Sequence, residues 1–343
     1  MMVDPDEQNA DFESDELFEH FNIVVDQGQS FLRIDKFLVD RIPNLSRNKI
    51  QQAASAGNIL VNDKAVKSNY KVHPHDNISF VRPYPRREIE LIPEDIPLKI
   101  MYEDSELLIL EKQAGLVVHP GYGNYSGTLV NALMFHYGGQ SQFNTEDLRP
   151  GLVHRLDKNT SGIMVVAKSE VALTILSRYF FERSIERTYW ALVWGDVREE
   201  SGRIEGHIGR SLKDRKVMSV FPDGKYGKAA ATNFKVLERF GYVTLVECKL
   251  ETGRTHQIRA HFKYYGYPLF NDPEYGGNRI VKGTSFTKYK QFVQNCFELI
   301  PRQSLHAKTL GFVHPTTGKK LFFESELPDD FRLVVEKWRA YTT

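Results

Sequence analysis

Apolar residues recur along this chain at two different periods, and each change of period marks an element. Phe31, Ile34, Phe37 and Leu38 fall at helical spacing. Ser46 is placed to cap a second helix, with Ile50, Ala53 and Ala54 as its apolar stripe and Gly57 as its stop. Ile59-Leu60-Val61 then reads as a strand and Asn62-Asp63 as a turn, followed by a run ending at Val72 and a short strand near 78–81. Beyond about residue 98 the runs 107–110, 163–167, 189–193, 243–250 and 321–323 predict strands, several rich in β-branched residues. Ala172, Ile175, Leu176, Tyr179 and Phe180 make a helical stripe after Ser169. Pro328 opens a last helix whose apolar face is Phe331, Val334, Val335 and Trp338. Strands interleaved with a few helices predict an α+β fold with a mixed sheet.

The chain has 343 residues, enough for about two domains. Residues 1–30 are expected as an acidic, partly disordered tail, 31–82 as a small module, 83–97 as a linker and 98–343 as the larger domain. Pro83, Pro85, Arg86 and Arg87 open that linker, and Pro93 and Pro97 close it. Apolar residues at 41% and charged residues at 26% are ordinary globular values, which exclude a wholly disordered chain, a collagen and a coiled coil. No run approaches the roughly 18 apolar residues of a membrane span, and the acidic N-terminus is not a secretory signal. Two cysteines, Cys248 and Cys296, are too few for a disulfide framework or a four-ligand zinc site, so a reducing cytoplasm is expected.

Charge changes the picture more than composition does. Residues 1–30 hold nine carboxylates and no Lys or Arg, so a whole-chain charge of +1 leaves +10 on the remainder. A basic body of this kind fits a polyanionic partner, although a solvated surface carries such charge equally well. In the small module Arg33, Lys36, Arg41, Arg47, Lys49, Lys64, Lys67 and Lys71 take polar positions.

Several familiar sites are excluded. Gly311 and Gly318-Lys319 lack the spacing and the Ser/Thr of a phosphate loop, and Gly121-Tyr122-Gly123 lacks the third glycine of a dinucleotide site. Ser161 has Asn159 two residues before it where a nucleophile elbow needs glycine. His256 and His261 stand five apart without a metalloprotease Glu, so no metal and no cofactor is expected. What remains is a dense polar run entering a strand, from Gly151 to Gly162, in which Asp157 lies among cations. By itself such a run is as well explained by a turn tied with Asp and Asn side chains.

The run resembles the catalytic motif of the RluA/RluD-type pseudouridine synthases: His154-Arg155-Leu156-Asp157, two variable residues, then Thr160-Ser161-Gly162. Four further stretches resemble the same family in order. They are 112–120, Glu186-Arg187-Thr188-Tyr189-Trp190-Ala191, Gly253-Arg254-Thr255-His256-Gln257-Ile258-Arg259-Ala260-His261, and Leu305-His306-Ala307. The small module resembles an RNA-binding domain first described in a small-subunit ribosomal protein, through 33–38, Ser46-Arg47, 57–62 and Asp76. The resemblance implies a mixed, largely antiparallel catalytic sheet preceded by a small helix-rich RNA-binding domain. It implies an isomerase that detaches uracil from ribose, turns it and rejoins it through carbon, without a cofactor. Asp157 is then the carboxylate that attacks or deprotonates, Arg254 its paired cation, and Tyr189 the residue stacked on uracil. Arg155 would fill the space left by a flipped base. Arg33, Lys36, Arg47 and Lys49 would touch RNA phosphates. His154 is assigned no catalytic role, and His256 reads as a structural group at a helix start. The expected substrate is ribosomal RNA of the large subunit, met by a monomer, with transfer RNA as the rival. A non-catalytic RNA-binding or assembly factor is the alternative from another class, disfavoured because Asp157, Tyr189 and Arg254 are all present.

Overall fold

The computed structural model describes residues 18–42, 45–82, 91–121, 123–138, 151–214 and 217–342. The stretch 1–17 and the linker residues Pro83, Pro85, Arg86 and Arg87 lie outside them. The chain forms two compact units, the first built chiefly from residues up to Leu91 and the second chiefly from Ile92 onward.

The first unit contains β1 (Phe18–Val24), α1 (Ile34–Val39), α2 (Arg47–Ser55), β2 (Ile59–Val61), β3 (Lys64–Ala65) and β4 (Asn77–Arg82). Its antiparallel strands run in the order β1-β4-β2-β3. Ser46 caps α2 by accepting the Lys49 N–H at 3.4 Å. Asn62 and Asp63 take φ of 48° and 63°, the left-handed pair that a two-residue hairpin turn requires. Ile34, Phe37, Leu38, Ile50, Ile59 and Phe80 close one core. One element departs from the reading above. Residues 18–24 were expected in the acidic tail, yet they pair with β4 from Phe18 against Arg82 to Val24 against Asn77. The acidic composition masks an alternation in which Phe21 and Ile23 pack on the core while Asn22 and Val24 face outward.

The second unit contains β5 (Lys99–Glu103), β6 (Leu107–Lys112), α3 (Leu129–His136), β7 (Ser161–Ala167), α4 (Glu170–Glu182), β8 (Glu186–Trp194), β9 (Ser201–Arg210) and β10 (Met218–Phe221). β11 (Lys228–Arg239), β12 (Val243–Leu250), α5 (Gln257–Tyr264), α6 (Thr287–Leu299), β13 (Leu305–Val313), β14 (Lys320–Glu324) and α7 (Asp329–Thr342) complete it. A ten-stranded sheet runs β10-β9-β11-β12-β8-β13-β7-β6-β5, with β14 paired to β13. Its pairs are antiparallel except β13 with β7, so the sheet is mixed and largely antiparallel, as expected. α6 and α7 bury Tyr289, Val293, Phe331 and Trp338 against Trp194, Phe240 and Phe270. α4 buries Ala172 and Leu176 against Leu107, Ile109, Ile163 and Val165. All seven residues of β7 are buried, which is why the strand reads as one apolar run.

The parallel contact begins where Ser161 faces His306 and Gly162 faces Ala307. Gly162 has φ of +118°, and a Cβ there would lie 2.2 Å from the Ala307 carbonyl oxygen. Only glycine allows β7 and β13 to meet so closely at the point where the polar run enters the sheet. Among the described residues no helix is long and apolar enough to cross a membrane.

Candidate active site

The loop before β7 is held through its backbone. Asp157 closes a turn by accepting the Thr160 N–H on its carbonyl at 3.0 Å. The Lys158 carbonyl accepts from the Gly115 N–H and from Lys112 Nζ, both at 2.9 Å. Lys112 is 1% exposed, and its ammonium also donates to the carbonyls of Gln113 and Leu116. The Asn159 carbonyl accepts from Arg302 Nη1 at 3.0 Å, and Arg302 is itself gripped by Asp330 at the start of α7, at 2.6 and 2.9 Å. Ser161 Oγ bonds His306 Nδ1 at 2.9 Å, and His306 Nε2 bonds Ser325 at 2.7 Å. Burial, helped by the charge of Arg302, pulls the His306 pKa down to about 3, so this relay is neutral at pH 7. Strand and loop together fix the main chain on both sides of Asp157.

The Asp157 carboxylate opens into a cleft of about 430 Å³. Arg259 Nη1 lies 3.4 Å from its Oδ2, and His256 Nε2 lies 3.8 Å from its Oδ1. Arg259 is 3% exposed and is aimed by a two-pronged bond to the buried Asp272 at 2.7 and 2.8 Å. It also bonds Glu274 and lies over the Tyr275 ring at 4.8 Å. Burial alone would lower its pKa, but Asp272, Asp157 and Glu274 outweigh that and hold the guanidinium firmly charged. The carboxylate therefore faces a cation that its own supports prevent from moving.

That cation is not the expected one. Arg254 was to pair with Asp157, but its Nε donates to the Ala229 carbonyl at 3.2 Å. Arg254 precedes α5 while Arg259 lies in its first turn, facing the 157 loop, so the two share no face. Arg254 stays in the cleft wall with Arg155, Arg183 and Arg187. Five arginines, counting Arg259, line the cleft against one carboxylate, a balance that selects an anionic ligand. His256 is also more than a helix start. It takes φ of 51° at the N-cap of α5, bonds Tyr275 through Nδ1 at 3.0 Å and turns its other nitrogen to Asp157. Burial lowers its pKa, with Asp157 and Arg259 pulling in opposite directions, so it is neutral at pH 7.

Tyr189 enters the cleft from β8 and is 8% exposed. Burial raises its pKa, so it is a neutral phenol at pH 7. His154 accepts the Val165 N–H at 3.1 Å, stacks on Phe180 at 4.6 Å and has its pKa drawn to about 3 by burial and then by Arg187. Arg155 is exposed and lines the cleft. Sequence reading missed Asp272 and Glu274, which stand far from any motif. A signal existed in Asp272-Pro273-Glu274-Tyr275, a short acidic turn beside an aromatic.

In the first unit Arg33 and Arg47 are brought together by Asp35. Its side chain is fully buried and accepts from both at 3.0 Å and from Gln51 at 2.7 Å. Burial raises the Asp35 pKa, but the bonds from Arg33, Gln51 and Arg47 bring it down to about 2. The two guanidinium groups remain nearly half exposed, while Lys36 and Lys49 extend from the exposed faces of α1 and α2.

Residues 106–264 match the family of RNA pseudouridylate synthases, and residues 32–78 match the S4 domain. An RNA pseudouridine synthase of Chlorobaculum parvum, itself uncharacterized, is 47% identical over 323 residues, spanning 93% of this chain and 98% of that protein. The ribosomal large subunit pseudouridine synthase D of Zymomonas mobilis is 39% identical over 308 residues, spanning 88% and 92%. The solved structure of human RNA pseudouridylate synthase domain containing 4 aligns with a TM-score of 0.52 at 21% identity, over 70% of this chain and 93% of its own. That last likeness is one of fold.

Proposed function

As a member of the RNA pseudouridine synthase family the chain isomerises uridine in RNA, and we propose that its substrate is large-subunit ribosomal RNA and its nucleophile Asp157. The observation that carries the second point is the setting of Asp157: an accessible carboxylate on an immobilised loop, opposed by a buried, anchored Arg259. A group so placed loses no time to reorganisation when charge develops beside it. Arg259 balances the carboxylate as its charge is spent on the nucleotide and returned. Tyr189 lies against the base and, being a neutral phenol, donates a hydrogen bond; to take the proton from the ring carbon it must pass its own to another base or to water. The target uridine is turned out of its helix to reach the cleft, and Arg155 occupies the place it leaves. Ribosomal RNA is favoured because the chain carries an S4 domain and because relatives named for the ribosomal large subunit match nearly its whole length. A ribosomal RNA substrate supports a cytoplasmic reaction.

Two experiments test this reading. Pseudouridine mapping of ribosomal and transfer RNA from cells with and without the protein should show sites in 23S RNA that vanish with it; loss confined to transfer RNA overturns the ribosomal substrate. Asp157→Asn keeps the shape and removes the charge. It should bind RNA as the wild type does while forming no product, and near-normal turnover would remove Asp157 from the chemistry.

A further inference from the structure

Two consecutive phenylalanines end α4, and they do different things. Successive helical residues point about 100° apart, so only one of the pair can face the core. Phe180 turns inward, stacks on His154 with rings 21° from parallel and lies 5.2 Å from the Arg187 guanidinium. Phe181 turns outward and is 87% exposed, more than any other large apolar side chain among the described residues. It nonetheless lines the cleft that holds Asp157.

The end of the helix is fixed around it. Arg183 adopts φ of 62° and ψ of 29°, the left-handed region, and its N–H returns to the Tyr179 carbonyl. The Ser184 N–H and hydroxyl bond the same carbonyl at 3.0 and 3.3 Å. A non-glycine residue held in that conformation by three bonds gives Phe181 a defined position on the rim. Its neighbours there include Arg155, Arg183, Arg187 and Arg254. An apolar protein groove covering the ring would strand those charges, whereas unpaired RNA presents a flat base and phosphates together.

We propose that Phe181 is a stacking platform for an unpaired base next to the target uridine, with Arg183 meeting the adjoining phosphate. The proposal rests on RNA being the substrate and adds what the enzyme asks of its surroundings: the flanking nucleotide must be single-stranded or readily unstacked. Stacking on an aromatic face tolerates any base, so Phe181 selects local structure and not sequence.

The test uses the full chain and unmodified 23S and transfer RNA transcripts, following tritium release from 5-tritiated uridine. On the transcript that the wild type modifies, Phe181→Ala should raise KM about tenfold with kcat within twofold. Phe181→Trp should restore KM, and Phe181→Leu, apolar but without a π face, should not. Thermal unfolding should be unchanged in all three, since the side chain is almost wholly exposed. An unchanged KM in Phe181→Ala, or full activity in Phe181→Leu, overturns the platform. If only transfer RNA is modified, the ribosomal reading falls and the same variants are scored on that RNA.

Discussion

Arg259 meets three carboxylates with one guanidinium: Asp157 in the cleft, and Asp272 and Glu274 behind it. Arg254, five residues earlier, spends its Nε on a backbone carbonyl and keeps the rest of its fork at the cleft wall. The two should separate in kinetics. Arg259→Lys keeps the charge but loses the two-pronged bond to Asp272, letting the cation shift, and kcat should fall about 100-fold with little change in KM. Arg259→Ala strands buried Asp272 and should also cost about 3–5 kcal/mol of stability. Arg254→Ala should do the reverse, raising KM several-fold with kcat nearly intact. Steady-state rates on one RNA decide it, and a collapse of kcat in Arg254→Ala with Arg259→Lys unharmed would reassign the pair. Asp157 itself was legible because its motif is contiguous. Its partner was not, because 102 residues separate them and only the packing of α5 against the 157 loop chooses between two arginines in one motif.

At the scale of elements, the meeting of β7 and β13 governs the site. Gly162 sits where a Cβ would collide with the Ala307 backbone, at a φ that side chains avoid. Gly162→Ala should therefore destabilise the second unit by about 3 kcal/mol or more and depress turnover with it. Thermal unfolding reads this directly, and an alanine variant as stable as the wild type would mean the strands part without cost. The same packing explains which elements the sequence displays. β7, α4 and α7 carry uninterrupted runs or clean stripes with the capping signals of Ser169 and Pro328, and each appears where periodicity places it. β9, β10 and β11 were not anticipated: Gly202, Gly206, Gly209 and charged residues interrupt their alternation, and pairing with neighbours rather than burial defines them. β1 was hidden by acidic composition, which speaks of solubility and says nothing of the alternate positions that pair.

Over the whole molecule, charge and protonation set the conditions under which it works. His261 and His306 are both fully buried, and burial draws their pKa values to about 4 and about 3. Below pH 6.5 the unfolded chain takes protons that these folded histidines refuse, so their contribution to stability is full above that pH and declines as pH falls through it. By pH 5 each histidine costs about 2 kcal/mol. Asp35, held near 2, withdraws its own contribution only below about pH 4, so the window between is the histidines'. Urea midpoints should fall steeply between pH 7 and 5, and a flat profile there would show that the histidines protonate in place. The role of the S4 domain is tested on a different set of charges. Lys36→Glu with Lys49→Glu should weaken RNA binding and flatten its log–log salt dependence by about one unit per lost phosphate contact, with folding intact. Arg33 and Arg47 are poor probes, since replacing them also uncovers Asp35. Unchanged affinity and slope in the lysine variant would assign the S4 domain another task.

The grip on the loop before β7 passes through main-chain oxygens: the Lys158 carbonyl is held by Lys112 and Gly115, and the Asn159 carbonyl by Arg302. Every amino acid carries that oxygen, so the grip on the Asn159 carbonyl cannot distinguish one side chain from another at that position. The neighbours are held otherwise, Thr160 and Ser161 through their hydroxyls and Gly162 through its missing Cβ. In a saturation library selected for pseudouridine formation, position 159 should therefore accept broad replacement, proline apart, ahead of a Thr-Ser-Gly segment that accepts almost none. Position 159 is where this enzyme has room to drift, and where a reporter group could be attached two residues from Asp157 without disturbing the loop.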